Sequence, residues 1–101
     1  MPGSLGEEVI RVHAQDHYVE IVTTAGWDLV MLKFSDCVEK LKPLEGVQCH
    51  RSRWVRLKHC RWISSCGSAY VCEMSNGDAV PVSRRRYALV REWLNRASRP
   101  T

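Results

Sequence analysis

The stretch Ala69-Tyr70-Val71-Cys72-Glu73-Met74-Ser75-Asn76-Gly77-Asp78-Ala79-Val80-Pro81-Val82 decides the fold class. Tyr70, Cys72 and Met74 fall on one face and Val71 on the other, the period of two that marks a strand. Asn76-Gly77 is the strongest hairpin signal in the chain, because both residues accept the positive φ that a type I′ turn demands. Ala79 to Val82 returns as the partner strand. Pro81 cannot donate to a ladder, which predicts an edge position.

The same periodicity recurs upstream. Val9 to His13 reads as a first strand with Ile10 and Val12 on one face, and Gln15-Asp16 makes a turn. His17 to Thr23 is a second strand, Val19 and Ile21 facing one way and Tyr18, Glu20 and Val22 the other. Ala25-Gly26 supplies a hairpin turn. Asp28 to Lys33 is a third strand, apolar on both faces in its middle, which predicts a central, well-covered place. Ser35 reads as the N-cap of a short helix with Asp36 in its first turn; Cys37, Val38 and Leu41 line one face and Pro43 ends the run. Leu44-Glu45-Gly46 is a link. Val47 to His50, Val55 to Leu57 and Arg61 to Ser65 are short strands, with a turn at Cys66-Gly67-Ser68. Downstream, Ser83 caps a final helix running to about Asn95, with Leu89, Val90, Trp93 and Leu94 as its apolar stripe. Many short strands with two short helices make the chain mostly β.

A length of 101 residues corresponds to one domain, expected over 9–97, with 1–8 as a linker and 98–101 as a frayed tail. The leader also suggests a piece of a longer protein. Four tryptophans and an ordinary apolar fraction describe a folding sequence. Formal net charge is +4 and the isoelectric point is about 9.0, which mildly favours a polyanionic partner. No run approaches the roughly 18 apolar residues of a membrane span. The five cysteines include no C-x-x-C and follow no signal peptide, the pattern of reduced thiols in a cytosolic protein. Cys49-His50 and His59-Cys60 do not have the spacing of a zinc finger or ribbon, so no metal or other cofactor is expected. Neither Cys49 nor Cys72 sits in a nucleophile signature, and no enzymatic activity is expected. Trp54 and Trp93 fall on apolar faces and read as core; Trp27 is ambiguous between core and base stacking.

Two clusters carry the functional signal. Ser83-Arg84-Arg85-Arg86 opens the last helix, where stability alone would place acids. Three arginines there are a local cost, about 0.3–1 kcal/mol each when exposed, that an anion such as phosphate offsets. The bland reading, a solvated basic turn whose arginine stems lie on the core, has equal weight for this segment alone. Arg51, Arg53, Arg56, Lys58 and Arg61 add five cations within eleven residues, and in isolation a wet strand face explains them better. His17, just after a turn, has a ring that can donate and accept toward a base edge, although most such histidines are only surface residues.

Taken together these segments resemble a known family. Ala14-Gln15-Asp16-His17-Tyr18-Val19-Glu20-Ile21, His50-Arg51-Ser52 with Val55 shortly after, Asn76-Gly77, and Val80-Pro81-Val82-Ser83-Arg84-Arg85 occur in the order and spacing of the LytTR-type DNA-binding domain. That domain is the output module of many bacterial response regulators of two-component systems. The resemblance spans about 9–95. It implies an elongated sandwich of short antiparallel sheets, about ten strands with small helices, binding duplex DNA through loops in successive major grooves. Most DNA readers insert a helix instead. It implies base contacts by His17, Arg51 and Arg84. His50, Ser52, Arg53, Ser83, Arg85 and Arg86 fall where the family contacts the backbone or supports the loops. The chain departs from the family at Arg53, Trp54 and Arg56. The resemblance further implies paired DNA repeats, a second copy meeting the first on DNA, and an upstream receiver or membrane-attached module outside this chain. The expected location is the cytoplasm, or the membrane face if a membrane segment exists elsewhere. The competing reading is a small β-sandwich that binds a protein or an anionic ligand through the same basic surface.

Overall fold

A computed structural model describes residues 9–98. The expectations for 1–8 and 99–101 lie outside the described residues. Eight strands form two antiparallel sheets: β1 Val9–Gln15, β2 Tyr18–Thr23, β3 Gly26–Val30, β4 Gly46–His50, β5 Arg53–Arg56, β6 Cys60–Cys66, β7 Ala69–Met74 and β8 Ala79–Val82. Helix α1 is Phe34–Lys40 and α2 is Arg84–Ser98, with a 3-10 turn at Leu57–His59. The larger sheet has order β3-β2-β1-β5-β4 and the smaller β6-β7-β8. The mostly-β two-sheet architecture is as expected. Eight strands are described where about ten were implied, and extents of 33 × 32 × 23 Å make the sandwich flattened rather than elongated.

Two hydrophobic cores result. The first lies under α1: Val9, Val12, Val19 and Ile21 meet Cys37, Leu41 and Trp54. The second joins the sheets, setting Ile10, Val47, Cys49 and Val55 against Cys72, Met74, Val80 and Val82, with Val90 of α2 closing it. Ile10 and Val12 therefore do not share a face. The register slips between Val9 and Arg11, leaving Ile10 as an extra residue opposite β2. Such a bulge reverses the alternation, so the strand feeds both cores. Arg11, on the second-core side, ties the sheets at their rim: its Nε donates to Asp78 at 2.8 Å and its Nη1 to Glu20 at 3.3 Å. The Arg11 guanidinium beside Asp78 holds that carboxyl below its usual range.

Several local readings are corrected. β3 is an edge strand, and Trp27 and Leu29 are exposed, as is Met31 just beyond it. Apolar residues on both faces suggested cover, but only one side meets α1; Val30, Leu32 and Phe34 pack there. Helix α1 begins earlier than Ser35. Its N-cap is Lys33, without a side-chain bond, because the Lys33 carbonyl already receives Cys37 N–H at 3.0 Å. The hairpin between β7 and β8 is not type I′, since only Gly77 takes positive φ, at 93°. Gly77 N–H closes a turn on the Met74 carbonyl and Met74 N–H bonds Asp78, the three-residue loop in which glycine occupies the left-handed position. Trp93 is 41% exposed, because Val90 takes the buried side of α2 with Tyr87 and Leu94 beside it. Two expectations hold without change: Trp54 is buried, and β8 with Pro81 is an edge strand.

Candidate nucleic-acid interface

The antiparallel pairing of β1 with β5 brings two turns to one end of the larger sheet: Asp16-His17 between β1 and β2, and Arg51-Ser52 between β4 and β5. Ala14 N–H donates to the Ser52 carbonyl at 2.9 Å and fastens the first turn to the second. A third segment arrives from the smaller sheet. Ser83 N–H donates to the Cys49 carbonyl, also at 2.9 Å, and Arg86 Nη1 donates to the Gln48 carbonyl at 3.1 Å. The start of α2 is thus bonded directly to β4, the strand that leads into the Arg51 turn. His17, Arg51 and Arg84, separated in sequence, stand on three turns linked by main-chain bonds.

Each turn has a local cause. Asp16 adopts a φ of 49°, which short acidic and amide residues tolerate, so the chain reverses in two residues and His17 is exposed at the tip. In the second turn a bulge at Cys49 leaves His50 opposite Arg53. The His50 ring faces Ser52, whose N–H and hydroxyl lie 3.4 and 3.3 Å from Nδ1. Burial, then the charges of Arg53, Arg51 and Arg86, lower the His50 pKa. A neutral ring leaves Nδ1 free to accept, which stiffens the loop below Arg51. Gln48 Nε2 adds a bond to the Arg51 carbonyl at 3.2 Å. At the third turn Arg84 Nε donates to the Ser68 carbonyl at 3.3 Å, and Arg85 is exposed.

No ion pair among the described residues engages Arg51, Arg84, Arg85 or Arg86; the four present use Arg11, Lys42 and Arg96. The four guanidinium groups are therefore not tied up in carboxylate pairs. Arg53 is set apart from the others. It lies within β5, paired with His13 on one side and His50 on the other, and its Nε is buried without a partner. Sequence reading missed Gln48 and the carbonyls of Ser68 and Cys49 as supports, since a main-chain acceptor leaves no mark in the residue types. Cys37, Cys49, Cys60 and Cys72 are free and buried, and burial pushes the Cys49 thiol up to about 12, a poor setting for a nucleophile.

A basic end built from turns of a two-sheet sandwich suits a polyanionic partner such as nucleic acid. Residues 6–95 match the family model of the LytTr DNA-binding domain, and the chain belongs to that family. Among solved structures it is similar to a LytTr DNA-binding domain from Bacillus cereus, described as part of a methyl-accepting/DNA response regulator. Identity is 24%, the TM-score is 0.74, and the alignment covers 86% of this chain and 81% of that one. No curated protein matches the sequence. No helix among the described residues is long and apolar enough to cross a membrane.

Proposed function

We propose that residues 9–97 act as the output domain of a bacterial transcription regulator, binding duplex DNA in a sequence-specific way without a chemical step. His17, Arg51 and Arg84 read base edges in successive major grooves. Ser52, Arg85 and Arg86 meet phosphates or brace the turns, with His50, Arg53 and Ser83 as supports. An arginine at the tip of a turn has the fork that guanine accepts in the major groove. The observation that carries this reading is the pair of main-chain bonds, Ala14 to Ser52 and Ser83 to Cys49, because they hold the three separate turns that bear His17, Arg51 and Arg84 in one fixed arrangement. The family suggests paired repeats as the target, with a second copy meeting the first on DNA. It also suggests a receiver or membrane-attached module as the input, and a cytoplasmic site of action.

Random-site selection on duplex DNA tests the proposal. The expected outcome is one enriched motif, bound with a log–log salt slope of roughly −5 if five or six phosphates are neutralised. Arg84→Ala is expected to relax preference at particular positions, at about 1–3 kcal/mol. Equal binding to all sequences, with saturable binding to a protein or small anion, would establish the interaction-module reading instead.

A further inference from the structure

The smaller sheet has a second cationic feature that the DNA reading does not use. Between β6 and α2 lies a half-open groove of about 440 Å³. Ile63 and Leu94, both partly buried against the second core, line it, and Trp62 stands at its side 54% exposed. Lys58, Arg61 and Arg91 also line it, all exposed, and no carboxylate does. None of the three cations enters an ion pair among the described residues.

The strand is shaped toward this groove. In a regular strand Arg61 and Trp62 would point to opposite faces. The register between β6 and β7 slips from Cys60–Met74 to Trp62–Glu73, leaving Arg61 as the extra residue. The bulge brings Arg61 and Trp62 to the same side of β6, and both border the groove, with Ile63, opposite Cys72 and facing the second core, at its floor. β6 is also an edge strand, so no further strand fills the space. Tyr87, stacked on Tyr70 at 3.9 Å between ring centroids, makes a rigid part of the wall. The groove is set back from the DNA-facing end. Arg91 is seven residues beyond Arg84 on α2, about 10 Å along a helix.

We infer that this groove is a binding site for a small amphiphilic anion, a planar apolar body carrying a carboxylate or similar oxyanion. The apolar floor and Trp62 take the body, and the fork of Arg61 or Arg91 takes the oxyanion. A wholly apolar ligand leaves three cations unanswered, and a plain inorganic anion leaves the apolar floor wet.

The test uses the full chain and the aromatic sulfonate 8-anilinonaphthalene-1-sulfonate, with its uncharged relative N-phenyl-1-naphthylamine. The expected result is saturable one-site binding of the sulfonate, at least tenfold tighter than the neutral compound. Amide shifts are expected to concentrate in 57–63 and 87–95. Arg61→Gln/Arg91→Gln is expected to weaken the sulfonate at least tenfold with little change for the neutral compound, and Trp62→Ser to weaken both. If the Gln pair unfolds, Arg91→Gln alone carries the same expectation at threefold or more. Equal affinity for the two compounds, unchanged affinity in the arginine variants, or shifts centred on Trp27 and Leu29 would overturn the site. Displacement of the sulfonate by one equivalent of duplex DNA would also overturn it, by making the groove part of the DNA surface.

Discussion

The two hydrophobic cores are built from similar residues but do different work. The first, under α1, draws on residues between Val9 and Trp54, and its contacts join strands of one sheet to a helix that follows soon after. The second joins Ile10 to Val90 across both sheets. The basic end depends on the second, because Ser83 and Arg84 reach Arg51 only when the smaller sheet is docked. No described residue of the smaller sheet enters the first core. Loss from the second core loosens the Ser83–Arg86 turn relative to the other two. The contrast predicts that stability and DNA affinity separate according to which core is changed.

The largest expected effect is in the first core. Ile21 is fully buried, and Ile21→Ala is expected to cost about 4 kcal/mol in urea unfolding, within the range for buried aliphatic truncation. DNA affinity per folded molecule should stay within twofold; a tenfold loss would break the distinction between the cores. Next is Gly46→Ala. A Cβ at Gly46 would collide with the Trp54 indole at Cζ2, so the ring must move or the strand shift, at about 3 kcal/mol. A Tm equal to that of the parent would show that Trp54 can relocate without loss. In the second core, Val82 is 5% exposed and immediately precedes Ser83. Val82→Ala is expected to cost about 2 kcal/mol of stability and, unlike Ile21→Ala, to weaken specific DNA binding several-fold at matched folded fraction.

The smallest effect concerns pH. Burial first, and Arg53 next, lower the pKa values of His13 and His50 from the usual 6.5. The unfolded chain then binds more protons than the folded one as pH falls through that range. Stability contributed by neutral rings is full above about pH 6.5, declines as pH drops toward the folded values, and levels off below them. Urea midpoints at pH 7.5 and 5.5 should show the decline, and His50→Gln should reduce it. An unchanged slope in that variant would leave His13 as the sole source.

Much of this was legible because local chemistry is short-ranged. Alternation in β2 gave its faces correctly, Pro81 gave an edge, and the arginines after Ser83 marked a basic turn that the structure leaves without an ion pair among the described residues. The errors share one physical origin. A bulge changes which face a residue takes, and bulges sit at Ile10, Cys49 and Arg61 without a glycine to mark them. β3 looked central because its residues are apolar, whereas strand order is a property of the assembled sheet.

The sequence alone therefore determined the mostly-β class, the family through the order of its segments, and the identity of the cationic turns, since hydrogen-bonding capacity, charge and side-chain period belong to residues and their neighbours. Only the tertiary structure decided which turns meet. The bonds from Ala14 to Ser52 and from Ser83 to Cys49 close loops of 38 and 34 residues, read from their positions in the chain. Whether such distant groups come within reach depends on sheet order, bulges and the docking of two sheets, none of which a linear pattern encodes.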